Sequence, residues 1–223
     1  MIVNGKKIRN SKKILTQVRR DQITAATYKV VSQKGYYDFT IQDVARETDL
    51  STGLVLYYFE NKQSLLLNVF RETQRRVRDH LRQELDKAQD PRSKLTIFID
   101  QSFLLFENEK DYFYLLFDFW TQLKRNKDIR KMIQKLYQAY RDELSVILKA
   151  GMEQGVFKDM DIQYITTMCV SLVQHTIIQH LIDDRAFDFN TYAVRLKQCI
   201  IDMVSNDPHP RACVRVANKT TGG

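Results

Sequence analysis

The stretch FTIQDVARETDLSTGLVLYYFENKQSLL, residues 39–66, gathers the side chains of this 223-residue chain best suited to meeting a polyanion. Ser51, Thr52 and Gly53 open a short helix with small groups and free backbone N–H groups, which lets a phosphate oxygen approach closely. Gly53 removes a side chain at the point of nearest approach. Tyr57 offers a hydroxyl to a phosphate, and a ring to a sugar or a thymine methyl. Lys62 adds a point charge for the same backbone, and Thr40 adds a hydroxyl and an amide. Gln42 is the side chain best placed for a base edge, since an amide can bond adenine twice. The same residues also suit a plain fold, with Thr40 and Ser51 as helix caps and Tyr58 and Phe59 as core.

Presenting those groups together takes short helices set close to one another. Thr40 predicts the cap of a helix over 41–48, with Asp43 completing a variant of the capping box. Ser51 predicts the cap of a second helix over 52–58, and the intervening ETDLS makes the pair a helix-turn-helix whose second member is the recognition candidate. Ahead of them, Ile23, Ala26, Val30 and Val31 recur at helical spacing in a helix from about Ser11 to Lys34, with Gly35 where a left-handed cap is wanted. Asn61 predicts the cap of a long helix running to about Ala88, and Pro91 falls in the first turn of the next. Further helices are expected over about 92–108, 111–124, 128–153, 161–183 and 189–204, with Gly155 closing the third of these and Asp161 and Asn190 as caps of the last two. Seven glycines and three prolines are too few for the tight turns of a sheet protein this long. The chain is therefore expected to be all-α, about nine helices in all.

Charge marks one end. The net charge is +8; residues 1–20 hold seven basic side chains and no acid, residues 21–80 hold eight of each sign, and the remainder is nearly neutral. A basic end points to nucleic acid or an anionic membrane, or is simply a solvated arm. Cys169, Cys199 and Cys213 are far apart, odd in number and without metal spacing, so reduced thiols in a cytoplasmic protein are expected, with no metal and no cofactor. Uninterrupted apolar runs stop at about six residues, far short of the 18 or so of a membrane span, so no membrane partner is expected. No phosphate loop, nucleophile elbow or paired carboxylates announce an enzyme.

The run FTIQDVARETDLSTGLVLYYFENKQSLLLNVF resembles the DNA-binding segment of TetR-type transcriptional regulators. The resemblance implies a three-helix reading head and DNA contacts at Thr40, Gln42, Ser51, Thr52, Gly53, Leu54, Tyr57, Tyr58 and Lys62. Leu56 departs from it, standing where the family commonly has a phosphate-contacting tyrosine. LLFDFWTQLKRNKDIRKMIQKLYQAYRDELSVILKAGMEQGVF and the apolar helix after it resemble the BetI branch of the family. The implied organisation is a disordered basic arm (1–11), a helix-turn-helix domain (12–61), a ligand-binding and dimerisation domain (62–204) and a disordered tail (205–223). The resemblance also implies a homodimer packed through the last two helices. Residues 162–182 allow it, being apolar so far round that two faces must be covered, although a fully internal helix would read alike.

Phe103, Phe106, Phe113, Phe117, Trp120, Tyr137 and Tyr140 are candidates for an aromatic-lined ligand cavity, with His175 and Gln174 as a polar handle and Asp118 as a counter-charge; aromatic stripes are also plain core. The expected function is a ligand-responsive repressor that binds a palindromic operator on double-stranded DNA as a homodimer and is released by a small, partly apolar effector. Two alternatives stay open: a helical carrier of lipid or small molecules with a membrane-associating arm, and a DNA architectural protein without regulation.

Overall fold

The computed structural model describes residues 3–206, without the side chains of 3–13 and of Tyr36. Among the described residues there are nine α-helices and no strand, as the scarcity of turn residues predicts: α1 (Val3–Asp38), α2 (Ile41–Thr48), α3 (Thr52–Tyr58), α4 (Lys62–Leu85), α5 (Pro91–Asn108), α6 (Lys110–Thr121), α7 (Lys127–Glu153), α8 (Ile162–Ile182) and α9 (Phe189–Val204). The described residues pack as two units, those up to Arg76 with Asp111–Ile129, and Val77–Lys110 with those from Arg130 on.

In the first unit the two short helices, α2 and α3, and the start of α4 are built by local chemistry. The Thr40 hydroxyl accepts from the Asp43 amide at 3.2 Å while the Asp43 carboxylate accepts from the Thr40 amide at 3.0 Å, the reciprocal box expected from the sequence. The sharp turn between α2 and α3 needs no glycine, because Asp49 takes the left-handed conformation (φ 54°, ψ 39°), which acidic and amide side chains tolerate better than most. The Leu50 amide then closes on the Ala45 carbonyl at 2.9 Å. The Ser51 hydroxyl accepts from the Leu54 amide at 3.1 Å, and the Asn61 side chain from the Ser64 amide at 2.8 Å, so both predicted caps are made. Ile23, Val30, Phe39, Val44, Val55, Phe59, Leu65, Leu66, Val69 and Phe70 are all buried. Phe70 stacks on Tyr112 with centroids 5.0 Å apart and meets Phe119 edge-on at 5.2 Å, which brings α6 into this unit.

Some boundaries differ from expectation: α4 ends at Leu85 rather than near Ala88 and α6 at Thr121 rather than near 124. The helical backbone of α1 starts at Val3 rather than near Ser11 and is interrupted at Gly35 (φ 79°, ψ 167°), a positive-φ position outside the left-handed helical region. The expected arm over 1–11 falls where side chains lie outside the described residues. The cap of α9 is Asp188, whose carboxylate accepts from the Thr191 amide at 2.8 Å, rather than Asn190; an acidic residue just upstream took the role.

The second unit is held by α5, α8 and α9, with Leu95, Phe98, Ile99, Phe103, Phe106, Ile165, Cys169, Val173, Ile177, Phe189 and Ile200 buried and the Lys197 ammonium 2.7 Å from the Asp100 carboxylate. The chain leaves α7 through a tight return. Gly155 has φ 71°, and Phe157 lies so close over Gly151 that a Cβ there would sit 2.0 Å from its ring. Phe157 pairs with Ser205 in one isolated antiparallel bridge, and the Asn206 amide group donates to the Gly155 and Phe157 carbonyls at 2.8 and 2.9 Å. Thus the first two residues of the expected tail are held in place; the rest of it, 207–223, lies outside the described residues. Burial pushes the Cys169 thiol up to about 12. Cys169 is a free thiol, as expected, and Cys213 lies outside the described residues. By length and composition α8 could cross a membrane, a resemblance its apolar run-by-run reading does not show; here its Ile165–Cys169–Val173–Ile177 face is buried in the unit.

Candidate nucleic-acid interface and effector region

In α3 the sequence divides by face. Val55 is fully buried and the capping residue Phe59 nearly so, anchoring the inner side. The other side carries the predicted contacts: Ser51 and Gly53 are exposed, Thr52 is half-buried, Leu54 is exposed, and Tyr57 is 79 % exposed. Tyr58 is half-buried, with its ring edge-on to that of Tyr57 at 5.1 Å. Leu56, the departure from the family pattern, is also exposed. A Cβ at Gly53 would meet only the Ser51 hydroxyl, at 4.0 Å. Nothing inside the unit therefore requires glycine there, and any demand for a bare backbone comes from outside.

On α2, Thr40 and Gln42 are exposed. Below them Asp43 is the electrostatic anchor of the head, accepting from the Thr40 amide and hydroxyl and pairing with the Lys34 ammonium at 2.8 Å and the Arg46 guanidinium. The hydrogen bond from Lys34, then those from Thr40, hold its carboxyl well below the usual carboxylate range. Lys62 stands at the head of α4, half-buried, with its ammonium donating to the Tyr37 carbonyl at 2.8 Å and lying 4.3 Å from the Phe39 ring centroid. Burial lowers its pKa, against the opposing charge of Asp38. Lys62 thus also ties α4 to the segment entering α2, a role its position in the sequence did not disclose.

The candidate effector residues separate into groups. Phe103 and Phe106 are buried in the second unit, each against Phe189, at centroid distances of 5.7 and 4.9 Å. Tyr137 and Tyr140 are half-buried on α7; burial, offset in part by a hydrogen bond with Gln174, pushes the Tyr137 hydroxyl up to about 12. Phe113, Phe117 and Trp120 belong to the first unit, with Phe117 and Trp120 5.7 Å apart and Phe117 partly exposed. Burial raises Asp118 beside them. His175 lies exposed on α8, while His180 sits in the aromatic cluster, 4.8 Å from Phe189 and 5.7 Å from Phe106 and Phe187, its Nδ1 buried without a hydrogen-bond partner. A separation of five residues turns the two histidines about 140° apart on a helix. The sequence signal that was missed is the pair Phe187 and Phe189, just past the end of α8 and facing His180.

A capped two-helix head with an outward tyrosine and a glycine that no internal neighbour demands defines a helix-turn-helix DNA-binding protein. Comparison with known proteins agrees. Residues 23–69 match the family described as bacterial regulatory proteins, tetR family, and residues 70–203 match the C-terminal region of a YsiA-like protein. The chain belongs to the TetR family and is a transcriptional regulator. Among its relatives, a fatty acid metabolism regulator protein of Bacillus subtilis is 21 % identical over 84 % of this chain and 94 % of its own length. A BetI regulator of Stenotrophomonas maltophilia is 33 % identical over 41 % of this chain and 47 % of its own length, in keeping with the BetI resemblance. The crystal structure of a transcriptional regulator from Saccharomonospora viridis, in complex with choline, shares the fold, with a TM-score of 0.78 at 22 % identity, covering 86 % of this chain and all of that one.

Proposed function

We propose that the chain is a ligand-responsive repressor, acting as a homodimer on a palindromic operator. Thr40, Gln42, Ser51, Thr52, Gly53, Leu54, Tyr57, Tyr58 and Lys62 meet the DNA, with Gln42 and the face of α3 selecting sequence and the others fixing register on the phosphates. The observation that carries this reading is the exposure of Tyr57 and Gly53 on the side of α3 opposite the buried Val55. Dimer formation falls to α8 and α9. Tyr164, His175 and Ile182 form an exposed stripe along α8, turned away from the buried Cys169 and Val173; Leu172, 39 % exposed, stands at its edge beside Ile165, and α9 adds exposed Tyr192 and Val194. Large apolar side chains aligned in this way fit a second copy of the chain.

The effector is a small, partly apolar molecule, held in the helical domain over 62–204 by some of its aromatic residues; that a relative of the same fold is seen with choline supports ligand binding in this architecture. Ligand binding favours one spacing of the heads over the other, and a coupling of about 1–3 kcal/mol suffices for regulation. Gel-shift titration of Tyr57→Ala and Lys62→Ala tests the head. Both are expected to bind operator at least tenfold more weakly while remaining dimeric by sedimentation, and native affinity in both would remove these residues from the interface.

A further inference from the structure

The first unit contains a polar chain that no DNA contact explains. The Asn68 side-chain amide on α4 donates to the Thr24 hydroxyl on α1 at 2.6 Å. That hydroxyl donates to the Arg20 carbonyl, one turn earlier, at 2.7 Å. Arg20 in turn reaches α3: its guanidinium donates to the Tyr58 carbonyl at 2.6 Å and lies 4.2 Å from the Phe59 ring centroid. Thr24 and Phe59 are buried, and Arg20 and Asn68 are half-buried, so the chain runs through the packed head rather than over it.

We infer that Arg20 is the positioning residue of the recognition helix, and that Asn68 and Thr24 connect its setting to α4. The chemistry is specific to arginine. The last carbonyls of α3 have no partner within the helix, and a cation at a helix C-terminus satisfies them while favouring the helix dipole. The planar guanidinium also stacks on Phe59, which a lysine ammonium does with different geometry and without the fork. Tyr58 and Phe59 directly follow Tyr57, so a shift at this end of α3 re-aims the exposed tyrosine. The Thr24–Arg20 bond fixes the turn of α1 from which Arg20 extends, and Asn68 fixes Thr24. Movement of α4 against α1 is thereby felt at α3 through the packed head, independently of the contact proposed for Lys62.

The inference rests on the DNA-binding reading, and the test separates the two. Native protein is used to select an operator from a random-sequence duplex pool. Affinities for that operator and for a scrambled duplex are then measured for native protein, Arg20→Lys, Arg20→Met, Thr24→Val and the Arg20→Lys/Thr24→Val double variant, over a range of salt. Arg20→Lys is expected to lose about tenfold on the operator while holding its affinity for the scrambled duplex, and Thr24→Val to lose about threefold. The double variant is expected to be no more than about twofold weaker than Arg20→Lys alone, because both act on one setting. The salt slope of Arg20→Met is expected to match native. Failure of native protein to select any sequence overturns the DNA-binding reading itself. With an operator in hand, Arg20→Lys within twofold of native overturns the positioning role. A salt slope lowered by about one in Arg20→Met would make Arg20 a phosphate contact instead. Losses that multiply in the double variant would break the link through Thr24.

Discussion

At Gly53 the fold itself makes no demand for a glycine. A glycine in a helix interior costs about 1 kcal/mol relative to alanine and less in the first turn, where Gly53 stands, and no internal contact repays it, since an added Cβ would touch only the Ser51 hydroxyl at 4.0 Å. Gly53→Ala is accordingly expected to unfold at the same or a higher temperature, by up to about 1 kcal/mol of added stability, while operator affinity drops about tenfold; thermal melting and gel shift on one preparation read both. Asp43 is the opposite case, a residue that serves the fold alone. Its carboxyl is held low by Lys34 and Thr40, so its contribution is complete above the ordinary carboxylate range and is lost as pH falls through that range toward the lowered value. Asp43→Asn is expected to melt below native at pH 7, with the difference closing as pH falls below about 4, where the native carboxylate loses its charge advantage. A gap that stays constant with pH would remove the charge from the explanation.

At the scale of elements, most of the head was legible in the sequence, because capping is local. Thr40, Ser51 and Asn61 mark the starts of α2, α3 and α4 by chemistry that lies within three residues of each. What the sequence did not disclose depends on distant partners. Nothing around Asp49 announces a left-handed residue, and nothing near Gly151 announces that Phe157 will lie on it. His180 rather than His175 joins the aromatic cluster because α8 turns one inward and the loop after it supplies Phe187 and Phe189. The close approach at Gly151 carries its own prediction. Gly151→Ala places a methyl inside the Phe157 ring, so the return after α7 must open, and overpacking of this kind costs about 1–3 kcal/mol. Denaturant unfolding should show that loss, and restoration by Phe157→Leu in the Gly151→Ala background would place the strain between those two residues.

For the molecule as a whole, the proposed dimer along α8 and α9 carries one reading head per chain. In the proposed dimer two heads share the binding, and the symmetry of a palindromic operator would reflect that of the protein. Leu172, 39 % exposed, stands at the edge of the exposed side of α8, and in the proposed dimer a charge there would be buried without a partner. Leu172→Glu is therefore expected to sediment as a monomer with the helix content of native protein. Footprinting on the DNA that native protein selects from a random-sequence pool is the most direct measurement. It is expected to show two inverted half-sites, protected on successive major grooves about 34 Å apart or somewhat more, with affinity falling steeply as salt rises and the paired footprint lost in Leu172→Glu. Enrichment of no sequence, or one uninterrupted region of protection that Leu172→Glu reproduces, would contradict the account.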